Sequence, residues 1–198
     1  MWCNMPFSKM VLLILLCRAV GVTHIVESGR MGGLALVHYA RFGFLVTSVE
    51  KFPLPHVTSG VRTALPTASL YDGDGAELVP RLVRRLAAEP TEARVAVILD
   101  GPKGRQARNL SWALREHASL VVLDDDDITR RGGAFQEAWP HATVRSNSRT
   151  WRQLLPLTRD REALTAPPNP KGAFDFDAKV YIQENDVASI LLGDRALQ

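Results

Sequence analysis

Apolar and polar positions along the chain follow two alternating periods. Residues 22–27 form a short β-branched run, 44–49 (Phe-Leu-Val-Thr-Ser-Val) a second that leads into Glu50, and 67–71 a shorter third. Residues 94–99 (Arg-Val-Ala-Val-Ile-Leu) and 120–123 are nearly unbroken apolar runs, as expected of parallel strands covered on both faces. Between the runs lie helical stripes at 34–42, at 77–88 (Leu78, Val79, Leu82, Val83 and Leu86) and at 105–117. Strands separated by helices predict an α/β fold with a doubly wound, mostly parallel sheet in a single domain. Residues 51–66 hold Pro53, Pro55 and Pro66 and predict a long loop, with a short helical turn as the alternative within it.

The same pattern divides the chain into three parts. Residues 1–21 are an apolar segment, 22–157 the sheet domain, and 158–198 a linker with a C-terminal extension. The linker is marked by Pro167, Pro168 and Pro170; the extension predicts an edge strand at 179–183 and a short helix at 187–192. The apolar run at 10–17 follows Lys9 and stops at Arg18. It is far shorter than the roughly 20 residues of a membrane span. Two readings stay open: a buried helix beside the sheet of a cytoplasmic protein, or a targeting segment of a secreted or membrane-anchored one. The first is favoured, because no small-residue cleavage site precedes the first strand.

Composition narrows the class. With 46% hydrophobic and 23% charged residues, the 198-residue chain reads as an ordinary globular protein. Its 24 basic and 21 acidic residues are interspersed, so the net charge of +3 implies no nucleic-acid groove. Two cysteines, Cys3 and Cys17, are too few for a disulfide scaffold.

The candidate chemistry lies at the strand ends. Glu27, Glu50, Asp74, Asp100 and Asp124 each stand at or just after the carboxyl end of a predicted strand. In an open α/β sheet those ends line the ligand crevice. A single acid there often only caps the next helix. Five in register repel one another and point to a site that offsets the repulsion. Glu27-Ser28-Gly29-Arg30-Met31-Gly32-Gly33 is a strand end, a glycine turn and a helix start. It lacks the Gly-x-Gly-x-x-Gly of a dinucleotide pyrophosphate site. Glu50 follows Glu27 at the distance from which an acid reaches a ribose. These features suit an adenosine carrying an amino-acid tail.

Glu27-x-Gly29-x-x-x-Gly33, then Glu50, then Gly73-Asp74, then an apolar strand ending in Asp100, resembles the motif order of class I S-adenosylmethionine-dependent methyltransferases. The wording Glu27-Ser28-Gly29-Arg30 with Leu99-Asp100-Gly101-Pro102-Lys103-Gly104 is similar to one branch of that superfamily. The resemblance covers roughly residues 20–130. It implies a Rossmann-like fold, S-adenosylmethionine as cofactor, and methyl transfer to an unidentified acceptor, a small molecule being favoured. Glu27 and Gly29 would hold the methionine end, with Gly33 in the same cofactor-binding turn, Glu50 the ribose and Asp74 the adenine amino group. Asp100 would face the acceptor or a metal, and Lys103 would bind an anionic acceptor or pair with Asp100; these two are the candidate catalytic residues. Gly75 departs from the pattern, since many relatives carry Ala, Ser or Val there.

Other chemistries fit less well. The Gly-Lys pair after Asp100 lacks the Walker arrangement, and no serine stands in a Gly-x-Ser-x-Gly elbow. Asp124-Asp125-Asp126-Asp127 reads first as a solvated strand end; a divalent metal site of Asp100 and Asp124 is the lesser reading. The five histidines show no metal-ligand spacing, His24 reads as packed, and His56 alone is a candidate base. Trp112, Trp139 and Trp151 read as core. Two rival functions remain open: a non-catalytic binding protein of the same fold, and a nicotinamide-dependent oxidoreductase.

Overall fold

A computed structural model describes residues 7–89, 93–102, 104–123, 142–145 and 179–182. In chain order the elements are α1 (Phe7–Val20), β1 (His24–Ser28), α2 (Leu34–Arg41), β2 (Leu45–Glu50), α3 (Pro55–Ala64) and β3 (Ser69–Asp72). They continue with α4 (Gly75–Ala87), β4 (Val95–Leu99), α5 (Gly104–Leu114), β5 (Leu120–Leu123), β6 (Ala142–Arg145) and β7 (Lys179–Ile182). The strands make one sheet in the order β3-β2-β1-β4-β5-β7-β6. The first five are parallel to one another; β7 runs antiparallel between β5 and β6. The order reverses at β1, whose neighbours are β2 and β4, and this is where a doubly wound sheet opens its ligand crevice. The expected Rossmann-like, mostly parallel sheet is therefore present.

Alternation along the strands builds two cores. Ile25, Val46, Ala96, Ile98, Leu120 and Val122 face one side and pack with apolar residues of α1, α2 and α3. Val26, Val49, Val97, Leu99, Val121 and Leu123 face the other and meet α4 and α5. All five residues of β4 are buried, which explains why residues 95–99 read as a continuous apolar run. Trp112 packs against the second core, with the Arg115 guanidinium 4.3 Å from its ring centre.

Helix α1 uses its apolar residues inside the protein. Met10, Leu13, Ile14, Cys17 and Val20 are buried in the first core, so this segment packs beside the sheet. Among the described residues no helix is long and apolar enough to cross a membrane. Burial pushes the Cys17 thiol up to about 12. The thiolate is the reactive species, so Cys17 will stay unlabelled by a maleimide at pH 8 in the folded protein and react once it is denatured. Peptide mass spectrometry after labelling checks this.

Two expectations need correction. Residues 51–66 are not a long loop, because Pro55 occupies the first helical position, where its missing N–H costs nothing, and α3 follows. Val57, Val61 and Leu65 then recur every four residues and reach the first core. The strand near 179–183 is not at the edge: β7 pairs on one side with β5 and on the other with β6. The additional strand β6 takes the edge position. The linker at 165–172, the helix at 187–192, Trp139, Trp151, Lys103 and Asp124–Asp127 lie outside the described residues.

Candidate functional site

At the reversal point the turn after β1 closes against the turn after β4. The Ser28 carbonyl accepts from the amides of Asp100 (2.9 Å) and Gly101 (2.7 Å), and the Gly29 amide donates to the Val49 carbonyl (2.9 Å). Gly29 has φ +102, and a Cβ on it would lie 2.7 Å from the Gly101 nitrogen. Glycine is therefore required twice over, by dihedral and by clearance. Gly75, the departure noted in the sequence, has a similar cause. A Cβ there would occupy the place of the Ser28 hydroxyl, which is itself buried.

Above these turns lies a hollow of about 220 Å³ lined by Ser28, Gly29, Glu50, Lys51, Phe52, Asp74, Gly75, Gly101, Pro102 and Gln106. Three of the residues expected from the sequence thus meet on one surface: Gly29, Glu50 and Asp74. Glu50, the last residue of β2, has both oxygens fixed by backbone amides, Oε2 by Met31 (2.9 Å) and Oε1 by Phe52 (3.0 Å). Each carboxylate oxygen retains a further lone pair. Met31 reaches Glu50 from a positive φ of 39°, unusual for a side-chain-bearing residue.

Asp74 caps α4, its Oδ1 accepting from the Ala76 amide at 2.8 Å, while its Oδ2 accepts from Lys51 Nζ at 2.7 Å. The Lys51 hydrogen bond, followed by the Ala76 amide, holds the Asp74 carboxyl below its ordinary range; Asp74 in turn raises the Lys51 ammonium. A depressed carboxyl favours the folded state above the ordinary Asp range, and that benefit is lost as pH falls through the lowered value. The raised ammonium sets the limit in base. The bridge is therefore charged on both sides throughout the neutral range.

The other expected residues stand apart from this surface. Glu27 is buried (3% exposed) within the sheet, opposite Ser48 on β2 and Ile98 on β4, and is not part of the hollow's lining. Gly33 caps α2 in a left-handed conformation, and a Cβ on it would run into the Val61 side chain of α3. What the structure assigns to Gly33 is close packing between α2 and α3. Asp100 is partly exposed beside Gly101, held through its amide by Ser28. His56 is exposed in the first turn of α3. Half-buried His24 accepts or donates at Nδ1 with the Thr23 hydroxyl (2.8 Å), and burial lowers its pKa. Among the described residues no three His, Cys, Asp or Glu side chains cluster as a metal site.

Sequence reasoning passed over Lys51, Phe52, Gln106 and Arg30. The first two follow the strand-end Glu50 directly, which is the signal that could have found them. The Arg30 side chain is 1% exposed and donates through Nη2 to Asp72 Oδ1 (2.9 Å) and Thr58 Oγ1 (3.1 Å). It ties the glycine turn to the end of β3 and to α3. A second hollow of about 470 Å³ lies beyond these partners, lined by Thr58, Ser59, Arg62, Thr63, Asp72 and two prolines. It is larger but holds none of the expected residues, and the smaller hollow at the reversal point is the candidate site.

No protein-family model matches the chain, and no curated protein matches it in sequence. Among solved structures the chain is similar to a TDP-rhamnose 3'-O-methyltransferase of calicheamicin biosynthesis, at 15% identity and a TM-score of 0.51, over 91% of this chain and 81% of that one. It is also similar to the O-methyltransferase TomG from Streptomyces achromogenes, involved in tomaymycin synthesis and solved with SAM. Here the identity is 17% and the TM-score 0.50, over 92% and 82% of the two chains. At such identities the likeness establishes the fold, a Rossmann-like sheet of the class I methyltransferase type.

Proposed function

We propose that the protein binds S-adenosylmethionine in the hollow at the reversal point and transfers its methyl group to an unidentified acceptor. The observation that carries this reading is the convergence of Gly29, Glu50 and Asp74 on one hollow. The residues fit the adenosine part. Glu50 is locked by two amides with a lone pair left on each oxygen for the ribose hydroxyls, and Asp74 is a charged acceptor within the same wall. Gly29 lets the turn after β1 close on the turn after β4, which sets its backbone in the lining of the hollow for the amino-acid end. Glu27 and Gly33 support that turn, Glu27 from within β1 and Gly33 through the α2–α3 contact.

The bound cofactor supplies an electrophilic methyl group on a sulfonium. The chain's own part is to hold it in line with the acceptor, which accelerates such a transfer through orientation. Asp100, just after β4 and next in the chain to Gly101 of the hollow's lining, is assigned to the acceptor side, where it takes a proton from an acceptor hydroxyl or orients it. Lys103 is assigned there too, for an anionic acceptor. In the lesser version of this reading Asp100 and Asp124 would hold a divalent metal, which would supply a Lewis acid for the acceptor hydroxyl. Both similar structures are O-methyltransferases, and one is named for TDP-rhamnose, which favours a small-molecule acceptor.

Calorimetric titration with S-adenosylhomocysteine and with NADH tests the reading. Binding of the first and not of the second is expected. Binding of NADH alone would replace this function with an oxidoreductase, and tight cofactor binding without turnover on any acceptor would make the protein a binding module.

A further inference from the structure

Lys51 crosses the mouth of the hollow to Asp74, and stability does not account for it. Its side chain is 56% exposed and that of Asp74 30% exposed, a setting in which ion pairs contribute little. What the pair does present is chemistry. A three-donor ammonium and a carboxylate stand 2.7 Å apart on the wall that also carries Glu50. The Lys51 ammonium is further held 5.9 Å from the centre of the Phe52 ring. Asp74 cannot turn away, because Oδ1 is fixed by the Ala76 amide at the start of α4.

A donor beside an acceptor matches the Watson–Crick edge of adenine, where the N1 acceptor adjoins the 6-amino donor. We propose that Lys51 is a specificity residue that donates to adenine N1 while Asp74 accepts from the 6-amino group. The inference rests on the reading of this hollow as an adenosine site. The ion pair need not break: an ammonium keeps two further N–H donors, and each carboxylate oxygen keeps a second lone pair. Hypoxanthine reverses both positions, placing its N1–H against the ammonium and its 6-oxo group against the carboxylate. The pair therefore rejects an inosine nucleoside as well as accepting an adenosine one.

The test uses the full chain, wild type and Lys51→Met, titrated calorimetrically with S-adenosylhomocysteine, its 1-deazaadenine counterpart and its inosine counterpart. Wild type is expected to bind the 1-deaza ligand, which lacks the N1 acceptor, about tenfold more weakly than the parent, as for one hydrogen bond to a charged group. Lys51→Met should lose about the same factor for the parent ligand and bind parent and 1-deaza ligands equally. Equal binding of those two by wild type overturns the proposal without any variant. So does full discrimination retained in Lys51→Met, or tighter binding by it, which would make Lys51 an obstacle at the mouth. In those cases the adenosine reading itself stands. Failure of wild type to bind S-adenosylhomocysteine at all overturns both.

Discussion

Glu50→Ala is expected to weaken S-adenosylhomocysteine binding by at least about 100-fold while leaving the protein folded. Two charge-assisted hydrogen bonds to ribose hydroxyls are lost, each contributing about 1.5–3 kcal/mol. Two backbone amides, of Met31 and Phe52, lose their acceptor as well, so the lip of the hollow loosens. Both amides belong to exposed turns where water can replace the carboxylate, which keeps the cost to folding small. Glu50→Gln separates the two contributions. It retains one carbonyl acceptor of the same shape and should recover part of the affinity. Calorimetric Kd values for the three proteins, with circular dichroism to confirm folding, provide the check. An unchanged Kd for Glu50→Ala would remove the ribose from this position.

Gly29→Ala is the substitution with the largest expected effect on stability. Its φ of +102 is strained for any residue with a Cβ, and that Cβ would also meet the Gly101 nitrogen at 2.7 Å and the Asp100 carbonyl carbon at 3.0 Å. Both neighbours are backbone atoms of a turn pinned by two hydrogen bonds to the Ser28 carbonyl, so neither can move aside cheaply. Strain and overpacking together cost about 3 kcal/mol or more. For a chain of this size that lowers Tm by roughly 6–12 °C. Gly43→Ala is the control: its φ is +89, yet nothing lies within 4 Å of the added Cβ. It should cost only the dihedral strain, about 1–2 kcal/mol. Thermal unfolding of both variants isolates the steric contact, and equal losses would show that the closure of the two turns is looser than the structure indicates.

The parts of this fold that the sequence made legible are those decided by local burial. Residues 95–99 and 120–123 are walled by helices or strands on every side, so nearly every position is apolar and the strand is visible without context. Residues 55–64 were not, because a proline reads as a breaker until one knows that it stands at the first helical position. The place of 179–182 in the sheet was beyond reach for another reason. A run as short as Lys-Val-Tyr-Ile suits an edge or an interior strand alike, and only the long-range pairings with β5 and β6 decide between them. At the site, Glu50 and Asp74 were legible because acids at strand ends in chain order are a topological signal. Gly33 is expected in the cofactor-binding turn, and the structure packs the Val61 side chain against the place of its missing Cβ, a contact from α3 that no local pattern announces. An exposed lysine after a strand looks like ordinary solvated surface, and only the 2.7 Å contact with Asp74 gives Lys51 a role.

The central claim is that the hollow between the ends of β1, β2, β4 and the start of α4 is an adenosine site. A crystal structure of the full chain with S-adenosylhomocysteine tests it most directly. The account predicts the ribose on Glu50, the adenine edge on Asp74 and Lys51, and the homocysteine end running over Gly29. Density for the ligand in the larger hollow beside α3, or with its ribose away from Glu50, would contradict it.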